Sequence, residues 1–512
     1  MGQAISQSYT PPPLCLRDCL INGTIDLAKY RLCSKRMYDD EDIYNENKRK
    51  MIAENDDGPK RKKTTCYRSV KRHPLLCHTD DGKVRDVNFK DSTWCCLYLR
   101  CPPEGDRLNA MFRRRFRVPY SVFVELSNEI IQHDLFSRWT KKDCTGNDPT
   151  DHRLLLLGSL RHIGRALTFD DIEECTFVSN EVHRVFFLVF LEYGRTILYK
   201  KHVIEPARKL KLSSIGDIFK LAGLNGCIGS SDGTHIGMQQ CPNWAAQNHK
   251  GFKLAIPSRN YNSTVSHSHQ TLGTTFGHPG TFNDKTLVLY DELLRGVYEG
   301  IFFSEHEFTL CELDKDSCVV EVGYKGAWFI VDNGCLNWAC TVPPIKNPLS
   351  YEEIRFSEWI ESIRKDIECT FGVLKRRFAV LKYGIRLGHV ADCDKVWTTC
   401  CALHNRLLFY DKLDEGWESA NAESIYNEKG SRTTRPFSIN RLTRHRSEPK
   451  ISKGENYSTN FFDEHTVNGK RVVQKMPLQV FQERLVHHFD IRFKNNDVKW
   501  PKRKARNGNS SN

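Results

Sequence analysis

Four carboxylates between residues 232 and 368 stand in contexts where an acid is unusual. Asp232 in "SSDGTHI" and Asp332 in "WFIVDNGC" lie in or at the end of apolar, strand-like runs. Glu368 in "IECTFGVLKRRF" lies inside a basic amphipathic segment, and Asp284 ends "HPGTFND". An acid in such surroundings costs free energy unless a cation meets it. Oxygen ligands from distant segments suit a hard divalent ion, so the sequence predicts a metal site.

The order of these acids along the chain is a strand acid, a later strand acid and a helix acid. Asp232, Asp332 and Glu368 are the predicted catalytic ligands, and Asp284 is a fourth predicted metal ligand. Carboxylates from adjacent strand ends and a facing helix can hold two Mg²⁺ or Mn²⁺ ions roughly 4 Å apart, an arrangement suited to phosphodiester displacement. The alternative is a helix with basic surface residues and three unrelated aspartates.

The elements that must position the acids lie in residues 222–410, where the pattern predicts an α/β region. "GCIGSSDGTHIGM" and parts of "STVSHSHQTLGTTFG" have strand composition, and Ala327–Val331 is a short buried strand that ends at Asp332. A long helix is predicted to begin between Ser350 and Ser357, with Ser350 and Glu353 as a capping box.

The apolar positions of this long helix recur at helical spacing. They are Ile360, Ile363, Ile367, Phe371, Leu374 and Phe378. Glu368 is about 100° from Ile367 around the helix, at the edge of the buried face. We therefore expect it to reach a site on the neighbouring sheet.

Residues 95–205 are predicted to be an all-helical, helix-turn-helix-like DNA-binding domain. A capping-type start at Thr168 opens a short helix, and Ser179 can N-cap the next helix, Asn180–Tyr193. This outline resembles a helix-turn-helix, with Asn180, His183 and Arg184 as candidate base contacts. The second helix is very apolar, so the alternative is a core helix.

The charge distribution favours a polyphosphate partner. The formal net charge is +13, and the basic residues are clustered. The candidate DNA-backbone contacts are Arg113, Arg114, Arg115, Arg117, Lys375, Arg376 and Arg377. Any single cluster could equally be solvated surface.

The two ends of the chain differ in composition from its centre. Residues 1–85 are polar and predicted to be mostly disordered, and residues 411–512 are polar with one helix and a basic tail. The basic runs at 48–50 and 60–63 have bipartite nuclear-localisation spacing, which predicts a nuclear, and also cytoplasmic, protein. No membrane span is predicted. Gly2 and Ser6 match a myristoylation pattern too short to outweigh this.

Five segments in order make the chain recognisable. "DGTHI", "HPGTFND", "FIVDNGC…VPP", "IECTFGVLKRRF" and "CCALHN" together resemble the PIF/Harbinger group of DDE transposases and the Harbinger transposase-derived nucleases. The resemblance covers residues 100–410, and "FRRRFRVPYSVF" fits the segment ahead of that family's helix-turn-helix. It implies an RNase H-like core that cuts and joins double-stranded DNA, at transposon ends and target, with divalent metal.

The resemblance also assigns roles by position. Asp232 and Asp332 match the two strand acids, Glu368 the helix acid, and Asp284 an additional metal-site aspartate. Which of Asp284 and Asp332 completes the working triad stays open, although the 36-residue spacing to Glu368 favours Asp332. Where such chains usually read D-S/A-G-Y, this one has Asp-Asn-Gly-Cys. The family also implies a Myb-like DNA-binding partner and allows a homo-oligomer.

Two functions of different classes remain open from the sequence. The first is an active metal-dependent endonuclease and strand transferase. The second is a domesticated, catalytically silent DNA-binding protein derived from such a transposase. A retired nuclease is free to lose its acids, and all four are present, which favours activity.

Overall fold

The computed structural model describes residues 76–78, 84–86, 88–142, 146, 148–209, 212–313, 318–420, 462–467 and 470–503. These residues all belong to one compact unit, Lys71–Asn512. The predictions for Gly2 and for the basic runs at 48–50 and 60–63 lie outside the described residues. Within the described part, no helix combines the length and the apolar character that crossing a membrane requires.

The first large part of the structure is helical, as the sequence predicts. Its α-helices are α1 (Gly105–Phe116), α2 (Tyr120–Ile131), α3 (His152–Arg165), α4 (Phe169–Thr176), α5 (Asn180–Tyr193), α6 (Glu205–Lys209) and α7 (Leu212–Leu221). Short 3-10 and π-helical turns link them at Phe89–Asp91, Cys95–Arg100, Asp134–Trp139, Gly194–Leu198 and Lys200–Ile204. A two-stranded hairpin, β1 (Leu76–His78) and β2 (Val84–Asp86), precedes them.

The start of α4 confirms the predicted capping box. The Thr168 hydroxyl accepts a hydrogen bond from the Asp171 backbone, and the Asp171 carboxylate accepts one from the Thr168 backbone. The start of α5 differs from the prediction, because the Ser179 side chain makes no capping bond. Instead the buried Glu173 carboxylate accepts a hydrogen bond of 2.8 Å from the Asn180 backbone. The helix that precedes the turn thus caps the helix that follows it.

The centre of the molecule is a six-stranded mixed sheet. Its strands are β3 (Cys227–Gly237), β4 (Ser258–Val265), β5 (Thr271–Thr274), β6 (His278–Pro279), β9 (Trp328–Ile330) and β10 (Thr341–Val342). They follow the order β10-β9-β3-β4-β5, and β6 pairs with β4. Strands β3, β4 and β5 are antiparallel, whereas β9 and β10 continue the sheet in parallel with β3.

Helices flank this sheet, and three strand pairs besides the β1–β2 hairpin lie outside it in the described part of the chain. The helices are α8 (Asn243–His249), α9 (Asp284–Leu289), α10 (Glu292–Tyr298), α11 (Tyr351–Arg377), α12 (Ala379–Tyr383), α13 (Val390–Tyr410) and α14 (Leu478–Lys494). The separate pairs are β7 (Glu307–Leu313) with β8 (Val319–Lys325), β11 (Trp417–Ala420) with β14 (Trp500–Arg503), and β12 (Phe462–Val467) with β13 (Lys470–Lys475). The described chain is therefore a mixed α/β fold.

Helix α11 is the long helix that the sequence predicts. All six residues of its predicted apolar stripe are buried, and each buried side chain of this size contributes about 1.5–3 kcal/mol. Ser350 caps the helix by accepting a hydrogen bond from Glu353. The prediction of a complete capping box is wrong, because the Glu353 carboxylate accepts from the Leu349 backbone rather than from Ser350.

Two hydrophobic cores include residues of the sheet. One joins the helical region to α13 and to sheet residues such as Ile236 and Tyr261. The other lies between the sheet, the first half of α11 and α14. In the second core, Trp359 of α11 meets Trp500 edge-to-face at 5.4 Å. The polar C-terminal region thus supplies a helix and a strand to the core behind the acids.

Candidate active site

Two of the predicted acids lie side by side because their strands are parallel neighbours. Ser230 of β3 pairs with Ile330 of β9, and each acid, Asp232 and Asp332, follows two positions later. Asp332 lies just past the end of β9, and Asp232 lies in the middle of β3 beside it, at the edge of the sheet where β9 ends. The backbone of Gly233 donates a hydrogen bond of 2.7 Å to Oδ1 of Asp232, which orients its carboxylate.

Asp284 joins this edge from a different element, as the first residue of α9. A Cβ atom at Gly233 would lie 2.9 Å from Oδ1 of Asp284. A Cβ atom at Gly334 would lie 3.2 Å from Oδ1 of Asp332 and 3.5 Å from Oδ2 of Asp284. The two glycines therefore provide the space in which three carboxylates approach one another.

The electrostatics of this edge are those of crowded, partly buried acids. Burial raises the pKa of Asp232 above its usual value, and the charges of Asp332 and Asp284 raise it further. Burial likewise raises the pKa of Asp284, and the Asp332 charge adds to this. Such a cluster favours either protonation or a cation.

The guanidinium of Arg364 links Glu368 to Asp232. Nη1 of Arg364 lies 3.0 Å from Oδ2 of Asp232, and Nη2 of the same guanidinium lies 3.5 Å from Oε1 of Glu368. Lys365 also pairs with Glu368, at 2.9 Å. The structure therefore places Asp232, Asp284 and Asp332 near one another, and links Glu368 to Asp232 across one guanidinium.

The helix that carries Glu368 is fixed from its buried side. Asp366 pairs with Nδ1 of His267, and both side chains are buried. Burial alone would lower the pKa of His267, but the Asp366 carboxylate raises it above its usual value. On the next turn, Thr370 makes a 2.9 Å hydrogen bond with Nδ1 of His269. These contacts hold α11 against the loop between β4 and β5, so the position of Glu368 is determined by packing.

The donor set fits a hard divalent ion in its chemistry, since all four side chains offer carboxylate oxygens. Its present arrangement is held by protein cations instead, because Arg364 lies between Asp232 and Glu368, and Lys253 lies 3.8 Å from Asp284. Across the described ranges, no group of three or more His, Cys, Asp or Glu side chains is already arranged to hold a metal ion.

The basic end of α11 is less exposed than the sequence suggests. Lys375 donates to Thr234 Oγ1 at 3.2 Å, two residues after Asp232 in β3, and burial lowers its pKa. Arg377 contacts His404 at 3.0 Å, and burial lowers its pKa to about 10. Arg376 alone of the three is exposed. Lys375 lies close to the acids, whereas Arg377 holds α11 to α13.

The arginine run at the end of α1 is largely engaged inside the protein. Arg113 forms a bidentate pair with Asp411, and Arg115 donates to the Tyr98 hydroxyl. Arg117 donates to the Gly164 carbonyl at 3.4 Å. Only Arg114 of the run is exposed. These contacts tie α1 to neighbouring elements, which a run of charges does not reveal.

The candidate base-contacting face of α5 is divided. Asn180 is exposed, and Arg184 is half-exposed in a pair with Glu181. His183 is fully buried, where its Nε2 lies 2.8 Å from the Thr176 hydroxyl. The interpretation of His183 as a base contact is corrected by this placement. A histidine three positions after Asn180 points toward the interior because the apolar stripe of α5 extends that far.

Sequence reasoning missed the two cations of the site, Arg364 and Lys253. Arg364 is four positions before Glu368, a spacing at which helical side chains meet. Its contact with Glu368 could therefore have been predicted from the sequence. Its contact with Asp232 spans 132 positions and carries no local signal. Lys253 comes from the segment between β3 and β4 and has no sequence pattern that marks it.

One comparison with known proteins matches the part of the chain that forms the mixed sheet. Residues 202–414 match a family model described as plant transposon protein. The matched segment contains the whole central sheet, α11 and all four acids. The match indicates that this chain is related to transposases. No curated protein and no solved structure matches the chain.

Proposed function

We propose that the protein is a metal-dependent DNA endonuclease and strand transferase of the PIF/Harbinger type, with an RNase H-like core. The observation that carries this proposal is the convergence of Asp232, Asp284 and Asp332 at one sheet edge, next to Glu368. The transposon-protein match over the same residues supports it. The mixed sheet, an antiparallel meander extended by two parallel strands, is compatible with the proposed core.

Each acid has a proposed role. Asp232, Asp332 and Glu368 would hold Mg²⁺ or Mn²⁺, and Asp284 would support them from α9. The bound ions would activate the attacking hydroxyl and stabilise the leaving oxygen of a phosphodiester displacement. The chain's own contribution is placement: the Gly233 amide orients Asp232, and the His267–Asp366 pair fixes the helix of Glu368. Lys375 lies beside β3, where an ammonium can attract a phosphate.

The proposed substrate is double-stranded DNA, at transposon ends and at a target site. Exposed Arg114, Arg376 and Asn180 are the best-placed of the predicted contacts. Phosphate contacts position DNA without reading its sequence, so site selection would come from α5 or from a Myb-like partner protein. A nuclear protein that works as a homo-oligomer is compatible with this proposal, and the basic runs at 48–50 and 60–63 support the localisation.

One observation favours a second candidate function, a catalytically silent DNA-binding protein. Arg364 and Lys253 already neutralise part of the acid cluster, so the fold can hold these acids without metal. The two functions differ in one measurable property, since only the first requires divalent ions for a change in DNA.

Nicking of supercoiled plasmid by the full chain tests the proposal. We expect nicking with Mg²⁺ or Mn²⁺ and none with a chelator. Asp232→Asn and Glu368→Gln should abolish it while leaving DNA binding within about twofold, because the basic surface is intact. Glu361→Gln is the matched control, since Glu361 is an exposed glutamate on the same helix. Absent nicking by a protein that still binds DNA would favour the silent function, and nicking that a chelator does not stop would contradict both functions.

A further inference from the structure

Arg364 is held in an unusual position for a guanidinium. It bonds to Asp232 and lies next to Glu368, and only 12% of its side chain is exposed. Its Nε atom is buried and has no hydrogen-bond partner. A buried donor without a partner is unfavourable. The guanidinium thus contacts both Asp232 and Glu368, whereas its own Nε donor has no acceptor.

We propose that Arg364 is an internal counterion that occupies the metal position between Asp232 and Glu368 and competes with divalent ions for it. This inference rests on the proposed function, because it assumes that these carboxylates bind metal. The two carboxylates share one cation, and a guanidinium and a metal ion cannot both lie between them. Arg364 thereby stabilises the acid cluster when metal is absent and sets the metal concentration at which the site fills.

The chain offers a closely matched control for this competition. Lys365 is the next residue on the same helix and pairs with Glu368 at 2.9 Å. It is half-exposed, and in the described structure it pairs with Glu368 and not with Asp232. Replacing either residue by Met removes one positive charge near Glu368. Only the replacement of Arg364 vacates the space between the two acids.

The test is calorimetric titration of the full chain with Mn²⁺, in the absence of DNA. Arg364→Met should lower the Kd for Mn²⁺ roughly tenfold, which corresponds to about 1.4 kcal/mol. Lys365→Met should change it by less than about threefold, as expected for loss of an exposed charge. Arg364→Lys keeps the charge but cannot bridge both acids, so its Kd should fall between those of the wild type and Arg364→Met.

Each outcome decides the question. Unchanged or weaker Mn²⁺ binding by Arg364→Met, or an equal gain in Lys365→Met, overturns the competition. If Arg364→Met does not fold, Arg364→Lys decides it, and a Kd equal to that of the wild type counts against the proposal. Failure of every protein to bind millimolar Mn²⁺ overturns the proposed metal site as well. Normal wild-type binding that is insensitive to Arg364 overturns this inference alone.

Discussion

Two arginine–aspartate pairs in this protein, one bidentate and one with a single hydrogen bond, have different surroundings. Arg259 and Asp394 lie in the core between β4 and α13, with side chains 7% and 4% exposed. Asp394 also accepts a hydrogen bond from Tyr261, and Arg259 also contacts His249 and the Gly277 carbonyl. Arg364 and Asp232 are 12% and 21% exposed, and their partners are further acids.

This difference indicates that the Arg259–Asp394 pair stabilises the fold, whereas the Arg364–Asp232 pair can be replaced by a bound cation. In the core pair one charge of each sign is present, and the polar neighbours complete the hydrogen bonds. At the sheet edge the four acids pair with Arg364, Lys253 and Lys365, so carboxylates outnumber the cations that pair with them. Excess charge at an accessible edge is a property of binding sites rather than of structural pairs.

The largest expected effect is on the core pair. Asp394→Asn should lower the free energy of unfolding by about 3–5 kcal/mol, because it leaves the Arg259 charge buried without its counterion. Asp232→Asn should cost much less, since it relieves repulsion among the acids. Urea unfolding of both variants in chelator measures the contrast. Equal losses would mean that the acid at the sheet edge is as structural as the one in the core.

A second contrast uses the glycine next to each pair. A Cβ atom at Gly277 would lie 2.7 Å from Nε of Arg259 and also contact Asp394. Gly277→Ala should therefore destabilise the protein by about 1–3 kcal/mol through overpacking. A Cβ atom at Gly233 meets only Asp284 closely, at 2.9 Å, and that side chain is partly exposed. Gly233→Ala should cost less stability but weaken Mn²⁺ binding, and the reverse ranking would contradict the contrast.

The pH dependence of stability should distinguish the acids as well. The folded-state pKa of Asp232 is raised, so the folded protein binds this proton more tightly than the unfolded chain does. The ionised Asp232 carboxylate therefore destabilises the folded protein. This destabilisation is fully present above the folded-state pKa and is relieved as the pH falls toward the ordinary value of 3.8. The free energy of unfolding of the wild type, minus that of Asp232→Asn, should thus rise on acidification. A difference that falls instead would assign Asp232 a stabilising ion pair with Arg364.

The smallest expected effect concerns the surface of α11. Arg376→Ala should change stability by no more than about 0.5 kcal/mol, because its side chain is exposed. It should reduce the salt dependence of DNA binding by about one phosphate contact. Arg377→Ala, by contrast, removes a buried contact with His404 and should lower stability. Binding across a salt series, together with thermal unfolding, measures both.

Local patterns predicted much of this fold, because the interactions behind them are local. Helix α5 begins and ends where the pattern placed it, and the apolar stripe of α11 is buried throughout. The capping box at Thr168 depends on four consecutive residues and was therefore readable. The cap on α5 was not, because it comes from Glu173 in the preceding helix.

The candidate site was predictable in its acids and not in its cations. An acid inside an apolar run is noticeable because burying its charge costs free energy. A lysine or arginine in a chain with many basic residues carries no such signal. The Arg364–Asp232 contact and the Arg259–Asp394 pair both join residues more than 100 positions apart. Contacts of this kind follow from how the sheet and helices pack, which no window of sequence contains.

The pairing of β3 with β9 has a consequence for the synthesis of the chain. Asp232 and Asp332 are 100 positions apart in sequence, so their alignment depends on a non-local strand pair of the kind that forms slowly. The helix that carries Glu368 follows, and its inner face, including Trp359, is covered by residues near 489 and 500. In an emerging polypeptide, Asp232 and Asp332 therefore stay apart until β9 has been made, and α11 lacks its aromatic cover until the residues near 500 follow. A transcript that ends early would yield a chain whose α11 lacks the aromatic surface against which it packs.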